Sequence, residues 1–230
     1  MPHLKDLASR VVLIGDVVGS RSTLDRQALH DRLSAVLRGV NETVRALEPA
    51  VITVGDEFQG VYASLGDGLR ASFLVRAGLF ADADVRFGLG RGRVQVLDRA
   101  RGIFDGSAFW CARAAIEQAK EQADRAALHR ARTAYRCTSN HDGTGHDGTA
   151  EDGDDAGFGT AVNAALLALD HLVGAMSERS RRILRGLLDG ATQHDVALAE
   201  GVSPSAVSQR VRRDGIGAAL EVMERLGTLA

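Results

Sequence analysis

The chain has 230 residues and a formal net charge of −2, which gives no general attraction for polyanions, so any nucleic-acid surface has to be local. Hydrophobic residues make up 45% of the sequence, enough for a core, although aromatic residues account for only 4%. Cys111 and Cys137 show neither metal-ligand nor disulfide spacing, which favours a reducing compartment. Residues 1–10 lack an apolar signal core, and no apolar run approaches the roughly 20 residues of a spanning helix. We therefore expect a soluble cytoplasmic protein without membrane association.

The first part of the chain alternates between strand and helix patterns. In chain order, the patterns predict a strand at residues 11–18, a helix at 29–47, short strands at 51–54 and 58–63, a helix at 69–77, a strand or bent ribbon at 85–97, a helix at 108–119 and a strand at 133–138. The order βαββαβ predicts an α+β, ferredoxin-like domain over residues 1–139, with helices on one side of the sheet.

Residues 140–157 differ sharply in composition from the rest of the chain. They are small and acidic, and they contain two copies of His-Asp-Gly-Thr. Such a segment has too little apolar surface to offset the entropy of ordering, so we predict a flexible acidic linker, with metal binding by the repeat as the alternative. Few contacts are then expected to cross it, and two separately folding domains should result.

Residues 158–230 are rich in helix formers and predict a small all-α domain with a helix-turn-helix. Thr192 with Asp195 makes a capping box, and Gly201 supplies the backbone freedom for a turn between helices. Ser203 and Pro204 then cap and open the second helix of the motif.

Two short motifs place a carboxylate directly after an apolar strand. Gly15-Asp16 follows residues 11–14, and Gly55-Asp56 follows residues 51–54. A buried carboxylate needs a partner such as a cation, so Asp16 and Asp56 are candidate Mg²⁺ ligands; turn capping is the alternative. The sequence leaves three roles open for Glu57: a third metal ligand, a general base or a solvated residue of the hairpin.

Several further residues are candidates for binding the phosphates or the base of a nucleotide. The phosphate candidates near the motifs are Gly15, Gly19, Ser20 and Gly55, joined by Arg91 and Arg113, which are otherwise solvated surface arginines. Trp110, the only tryptophan, could stack on a purine, but its place at a helix start favours a role in closing the core.

The second helix of the helix-turn-helix carries side chains suited to DNA. Ser205, Ser208, Gln209, Arg212 and Arg213 fall on its predicted outer face, where Gln and Arg read base edges. Arg182 belongs to an arginine cluster on the preceding helix, where phosphate contacts are expected. A protein-interaction or dimerisation module is the alternative.

Residues 10 to about 139 resemble the class III nucleotidyl cyclase and diguanylate cyclase superfamily, and more closely the SatD family of bacterial proteins. The resemblance is carried by the stretches 14–20 and 54–58, and more weakly by 85–92 and 106–115. It implies Mg²⁺ bound by Asp16 and Asp56, with Asp16, Asp56 and Glu57 as catalytic candidates.

The sequence also departs from the cyclase pattern. Cyclases have an asparagine at the position of Trp110. Their arginine, one turn later on the same helix, does not align with Arg113. The lysine that reads adenine in cyclases has no counterpart here, because Val51 or Ile52 occupies its position.

These features lead to a first hypothesis and two alternatives. The first is a homodimeric transcriptional regulator whose cyclase-like domain binds a nucleotide with Mg²⁺ and whose helix-turn-helix binds DNA. The alternatives are a Mg²⁺-dependent nucleotidyl cyclase or nucleotidyltransferase, in which the C-terminal helices dimerise or localise the enzyme, and a degenerate palm that serves only as a dimerisation scaffold.

Overall fold

A computed structural model describes residues 9–20, 25–98, 103–138 and 153–230. The strands are β1 (Arg10–Val17), β2 (Glu48–Val54), β3 (Glu57–Tyr62), β4 (Val85–Gly92), β5 (Gln95–Asp98), β6 (Ile103–Asp105) and β7 (Thr133–Cys137). The helices are α1 (Arg26–Thr43), α2 (Leu65–Leu79), α3 (Ser107–Ala123), α4 (Gly153–Ala175), α5 (Glu178–Leu188), α6 (Gln193–Glu200), α7 (Pro204–Arg213) and α8 (Ile216–Leu226).

The main sheet has five strands in the order β2-β3-β1-β4-β7. β1 pairs antiparallel with both β3 and β4, and β2 pairs antiparallel with β3. The first four strands, with α1 and α2, therefore have the ferredoxin-like βαββαβ order that the sequence predicted. β7 follows α3 and adds a fifth strand parallel to β4. The predicted strand at 85–97 ends earlier, at Gly92, and β5 pairs with β6 in a separate ribbon.

Helices cover both faces of the sheet, so the expectation of helices on one side is wrong. Val11 and Leu13 of β1 belong to the core cluster formed with α1 and α2. Val12 and Ile14 point the other way and pack with Ala108 of α3. Because β1 carries apolar side chains on both faces, helices must pack on both faces to keep these side chains out of water.

Glycines in β4 let α3 lie unusually close to the sheet. A Cβ atom at Gly88 would lie 2.2 Å from the Ala112 carbonyl oxygen, and one at Gly90 would lie 2.1 Å from the Ala108 carbonyl oxygen. These distances exclude any side chain, so the two glycines are required by close helix–strand packing.

The helical part of the chain packs directly on the ferredoxin-like part. Residues of α4, α5, α7 and α8 share one core cluster with α1, α2 and the sheet. The Arg76 guanidinium of α2 forms a buried ion pair with Asp170 of α4, and the Gly66 N–H donates to the Leu229 carbonyl at 2.8 Å. The expectation that few contacts cross the boundary is therefore wrong, since both parts bury the same apolar surface.

The predicted linker lies mostly outside the described residues, but its last residues, 153–157, belong to α4. Ala156–Ala175 of this helix is long and apolar enough to span a membrane by length and composition, so the expectation that no such segment exists is wrong. Val162, Leu166 and Leu169 are nevertheless buried in the shared core. Core helices of soluble proteins pass the same test of length and composition.

We predict that Gly90→Ala destabilises the protein by about 1–3 kcal/mol or more, because the added methyl group overlaps the backbone of α3. The matched control is Gly39→Ala in α1, where the added methyl group would have no neighbour within 4 Å and the helix interior favours alanine by roughly 1 kcal/mol. Urea denaturation of both variants should show opposite changes in the free energy of unfolding. Equal changes would contradict the close-packing explanation.

We also predict that Arg76→Met lowers the free energy of unfolding by about 3–5 kcal/mol, because it leaves the Asp170 carboxylate buried without its cation. The double variant Arg76→Met with Asp170→Asn removes both charges and should recover most of that loss. Thermal denaturation with both variants measures the difference. A double variant as unstable as the single one would show that packing, rather than the unpaired charge, sets the cost.

Candidate functional site

The structure brings Asp16 and Asp56 together at one end of the sheet. Asp16 lies near the end of β1, and Asp56 lies in the turn between β2 and β3, whose Gly55 has a left-handed φ of 64°. The Asp56 carboxylate accepts a hydrogen bond from the Val17 N–H at 3.1 Å. This bond fixes the hairpin tip against β1 and holds the two carboxylates close enough to interact electrostatically.

Arg86 joins this pair, and the sequence analysis missed it. Arg86 is the cross-strand partner of Asp16 in the β1–β4 pairing, and its Nη1 atom lies 3.2 Å and 3.4 Å from the two carboxylate oxygens of Asp16. Its Nε atom is buried without a hydrogen-bond partner among the described residues. A charged residue between Val85 and Phe87 in a buried strand was the signal that could have revealed it.

Burial and neighbouring charges act on the pKa of Asp16 in different directions. Burial raises the pKa of Asp16 above its usual 3.8, Arg86 opposes this rise, and the neighbouring carboxylates of Asp56 and Glu57 add to it. The side chain of Asp16 remains 36% exposed. The environment therefore favours a second cation beside Arg86.

The carboxylate of Glu57 already forms an ion pair within the protein. Its two carboxylate oxygens accept from the two terminal nitrogens of Arg113 on α3, with Nη2 at 2.9 Å from Oε1. The hydrogen bond and the charge of Glu57 raise the pKa of Arg113 further. A two-point pair of this kind fixes the orientation of both side chains, and it ties the hairpin to α3.

A cavity of about 220 Å³ opens beside Asp56. It is lined by Ser20, Gly55 and Asp56 and by residues of the first two turns of α1, including Arg26 and His30. Two of the predicted phosphate-binding residues, Ser20 and Gly55, therefore lie at one site with a predicted metal ligand. Arg26 and His30 were not predicted, since exposed polar residues at a helix start carry no specific signal.

Other predicted residues have different positions or roles. A Cβ atom at Gly15 would lie 2.2 Å from the Phe58 ring, so this glycine makes room for an aromatic core residue. Gly19 adopts a left-handed φ of 73° in the turn after β1. Arg91 is five residues along β4 from Arg86, roughly 16 Å away, beside Tyr135. The structure therefore does not bring Arg91 to the Asp16–Asp56 pair.

The helix-turn-helix has the geometry that its sequence predicted. Thr192 and Asp195 form a complete capping box at the start of α6, Gly201 ends α6 with a left-handed φ of 64°, and Ser203 caps α7. Val207 is fully buried. On α7, Ser205, Gln209, Arg212 and Arg213 are exposed and Ser208 is partly exposed.

Arg182 makes an ion pair within the motif. Its Nε and Nη2 atoms both lie 2.8 Å from the carboxylate oxygens of Glu200 at the end of α6, and Arg179 approaches the same carboxylate at 3.5 Å. These arginines lower the pKa of Glu200. Arg182 thus holds α5 against α6, and a phosphate contact would have to replace that pair.

The residues present fit a divalent cation at the Asp16–Asp56 pair. Both groups supply the oxygen ligands that Mg²⁺ prefers, and a bound cation would offset the burial of the Asp16 carboxylate, which is the main cause of its raised pKa. Among the described residues, no cluster of three side-chain ligands surrounds a common point. The cation would therefore take two protein ligands and fill its other positions with water and phosphate oxygens.

The strand order and the carboxylate pair define an α+β palm-like protein with an attached helix-turn-helix. Residues 10–129 match the model of the SatD family, which is more than half of the chain. The protein belongs to the SatD family, as the motifs predicted. No curated protein matches the chain.

Three solved structures are similar to about half of the chain. A bacterial light-regulated adenylyl cyclase matches 50% of this chain and 71% of its own, at 13% identity and a TM-score of 0.38. A guanylyl cyclase domain from the aquatic fungus Blastocladiella emersonii matches 47% and 73%, at 14% identity and a TM-score of 0.37. A rhodopsin-guanylyl cyclase core in complex with ATPαS matches 47% and 72%, at 18% identity and a TM-score of 0.37. The fold assignment is carried by the strand order β2-β3-β1-β4-β7.

Proposed function

We propose that this protein is a DNA-binding transcriptional regulator whose palm-like part binds a nucleotide together with Mg²⁺. The observation that carries the proposal is the carboxylate pair of Asp16 and Asp56 with Arg86 beside it at the end of the sheet. Two acids and a buried guanidinium in one place suit a ligand that brings both a cation and phosphate groups.

Each group has a distinct role in this proposal. Asp16 and Asp56 hold the cation, which neutralises phosphate charge when it is bound. Arg86 donates to a phosphate oxygen with the terminal nitrogen that Asp16 does not occupy. The cavity beside Asp56 accepts the remaining phosphate, since the cationic Arg26 lies in its lining at the N-terminal end of α1.

Contacts connect this cavity to the helix-turn-helix. The Gly78 carbonyl at the end of α2 accepts hydrogen bonds from Arg32 of α1 at 2.9 Å and from Arg185 of α5 at 3.2 Å. α1 lines the cavity, and α5 supports the motif through Arg182 and Glu200. A ligand that shifts α1 thereby acts on the elements that hold the DNA-reading helix.

The DNA-binding half of the proposal is supported by α7, whose exposed face carries Gln209, Arg212 and Arg213. Glutamine and arginine can make paired hydrogen bonds to adenine and guanine edges in the major groove. A single helix-turn-helix reads only a half-site, so we propose a homodimer that places two copies of α7 one DNA turn apart.

The alternative enzyme, a Mg²⁺-dependent nucleotidyl cyclase or nucleotidyltransferase, would use Glu57 as a base. Both Glu57 oxygens are held by Arg113, which leaves neither group poised for a reacting atom. This pair favours ligand binding over turnover. Incubation with each nucleoside triphosphate and Mg²⁺, followed by detection of pyrophosphate and cyclic product, separates the two functions.

We predict that Asp16→Asn and Asp56→Asn each weaken Mg²⁺-dependent nucleotide binding by at least tenfold, since even groups that only support a metal ligand are worth about 10- to 100-fold. In the wild type, the affinity should fall as the pH is lowered, and the fall should begin above the usual aspartate pKa of 3.8, because protonated Asp16 cannot bind a cation. Calorimetry at several pH values measures both effects.

Asp98→Asn is the matched control for these variants, since it removes one carboxylate from the separate β5–β6 ribbon. It should leave nucleotide affinity unchanged. Wild-type affinity in both the Asp16 and the Asp56 variants would mean that these acids only cap turns and that the nucleotide site is elsewhere.

We predict that Gln209→Ala changes which DNA sequence is preferred, at a cost of about 1–3 kcal/mol for the original site. Selection of bound fragments from a random DNA pool, with and without nucleotide and Mg²⁺, measures the preference. Arg225→Ala on the exposed side of α8 is the control and should leave the preference intact. If the wild type enriches no sequence under either condition, the helix-turn-helix is a protein-interaction module.

A further inference from the structure

Trp110 is exposed, although a tryptophan at the start of a helix was expected to close the core. The residue keeps 58% of its surface accessible, while its neighbours Ala108 and Ala112 are fully buried against the sheet. The interpretation of Trp110 as a core residue is therefore wrong. A large aromatic surface left in water is costly, and it marks a binding surface when it lies beside a functional site.

The face of the sheet beside Trp110 is only partly covered by α3. In the strand pairing, Ile14 of β1 is opposite Gln59 of β3, and Gln59 is opposite Val51 of β2, so these three side chains form one row on the same face. Ile14 is buried under α3, Gln59 is partly exposed and Val51 is 51% exposed. The row is therefore covered by α3 at Ile14 and exposed to solvent at Val51, and it forms a shallow apolar shelf.

The carboxylate site lies at the end of this shelf. Trp110 and Arg113 are three residues apart on α3, so they share one helix face. Arg113 is bonded to Glu57, which follows Asp56 directly in the hairpin. The indole of Trp110 is therefore about one helical turn from a residue that contacts the hairpin of the phosphate and cation site.

From this arrangement, we infer that Trp110 is the surface on which the base of the bound nucleotide stacks. The inference rests on the proposed nucleotide function, which it extends from the phosphates to the base. In this inference the flat indole covers one face of the base, and Val51 is the exposed apolar residue of the shelf. Gln59 supplies an amide that can donate to, or accept from, the edge of a base.

The stacking role of Trp110 indicates which class of ligand the site binds. Aromatic stacking tolerates any base, because every base has a π face. The site should therefore bind nucleotides in preference to phosphate chains that have no base, and discrimination among bases depends on Gln59. A nucleotide is the ligand that spans a phosphate site and an adjoining aromatic surface.

The experiment compares two probes on the full chain. ATP and inorganic triphosphate, each with Mg²⁺, are titrated against the wild type, Trp110→Phe and Trp110→Ala. We expect Trp110→Ala to weaken ATP binding by about tenfold, the size of one base-stacking contact, while Trp110→Phe retains most of the affinity. Triphosphate binding should be the same in all three proteins, which also shows that the variants are folded.

Trp110 is the only tryptophan, so its fluorescence reports on this position alone. ATP should quench it, and triphosphate should not. Leu198→Ala, at another exposed apolar residue on α6, is the matched control and should leave ATP affinity unchanged.

Three outcomes would overturn the inference. Equal ATP affinity in the wild type and Trp110→Ala, with triphosphate still bound, removes the stacking role but leaves the phosphate site intact. Loss of a dimer in Trp110→Ala, detected by sedimentation, makes the residue a contact between two copies of the chain. Absence of both ATP and triphosphate binding to the wild type overturns the nucleotide function itself.

Discussion

The buried ion pair between Arg76 and Asp170 is the interaction on which the arrangement of the two parts depends. Asp170 is on the apolar helix α4, its side chain is 3% exposed, and burial raises its pKa. Its carboxylate accepts from Arg76 and also from the backbone N–H groups of Arg132 and Thr133, each at 2.7 Å. A carboxylate this deep is tolerated only with such partners, and together they hold α2, the start of β7 and α4 in one register.

The carboxylates of the candidate site have fewer partners. Asp16 is bonded to one arginine, Arg86, and its pKa is raised mainly by burial, to which the nearby carboxylates of Asp56 and Glu57 add. The structure satisfies Asp170 completely, whereas it leaves Asp16 with 36% of its side chain in water. The first carboxylate is built into the fold, and the second is available to a ligand. This contrast is a physical reason to assign function to the end of β1.

Much of the fold could be predicted from local sequence signals. Apolar strands, the helix period and the capping residues of the helix-turn-helix each act over a few residues, and these elements are confirmed. The covering of both sheet faces and the packing of α4 depend on long-range burial. Residues 11–14 are apolar without alternation, which indicates two buried faces, yet only the folded chain shows which helix covers each face.

The candidate site was predictable only in part, for a similar reason. Asp16 and Asp56 follow apolar strands, a pattern visible in the sequence. Arg86 is brought to Asp16 by strand pairing, and the distance of Arg91 from the site follows from the same strand. Exposure of Trp110 depends on how far α3 extends across the sheet, which no local pattern encodes.

The electrostatics of the helical part set how DNA binding would work. Residues 153–230 contain eight arginines, and six of them form ion pairs with acids of the same region: Arg179, Arg182, Arg185, Arg210, Arg213 and Arg225. Paired arginines contribute little to the general attraction for phosphates, which depends on the number of cations that neutralise the DNA backbone. Binding by one copy would therefore be weak, and tight binding would require two copies on a symmetric site. A regulator of the proposed kind would be controlled most directly through the spacing of its two α7 helices, which is the property that a ligand acting through α1 and α5 would change.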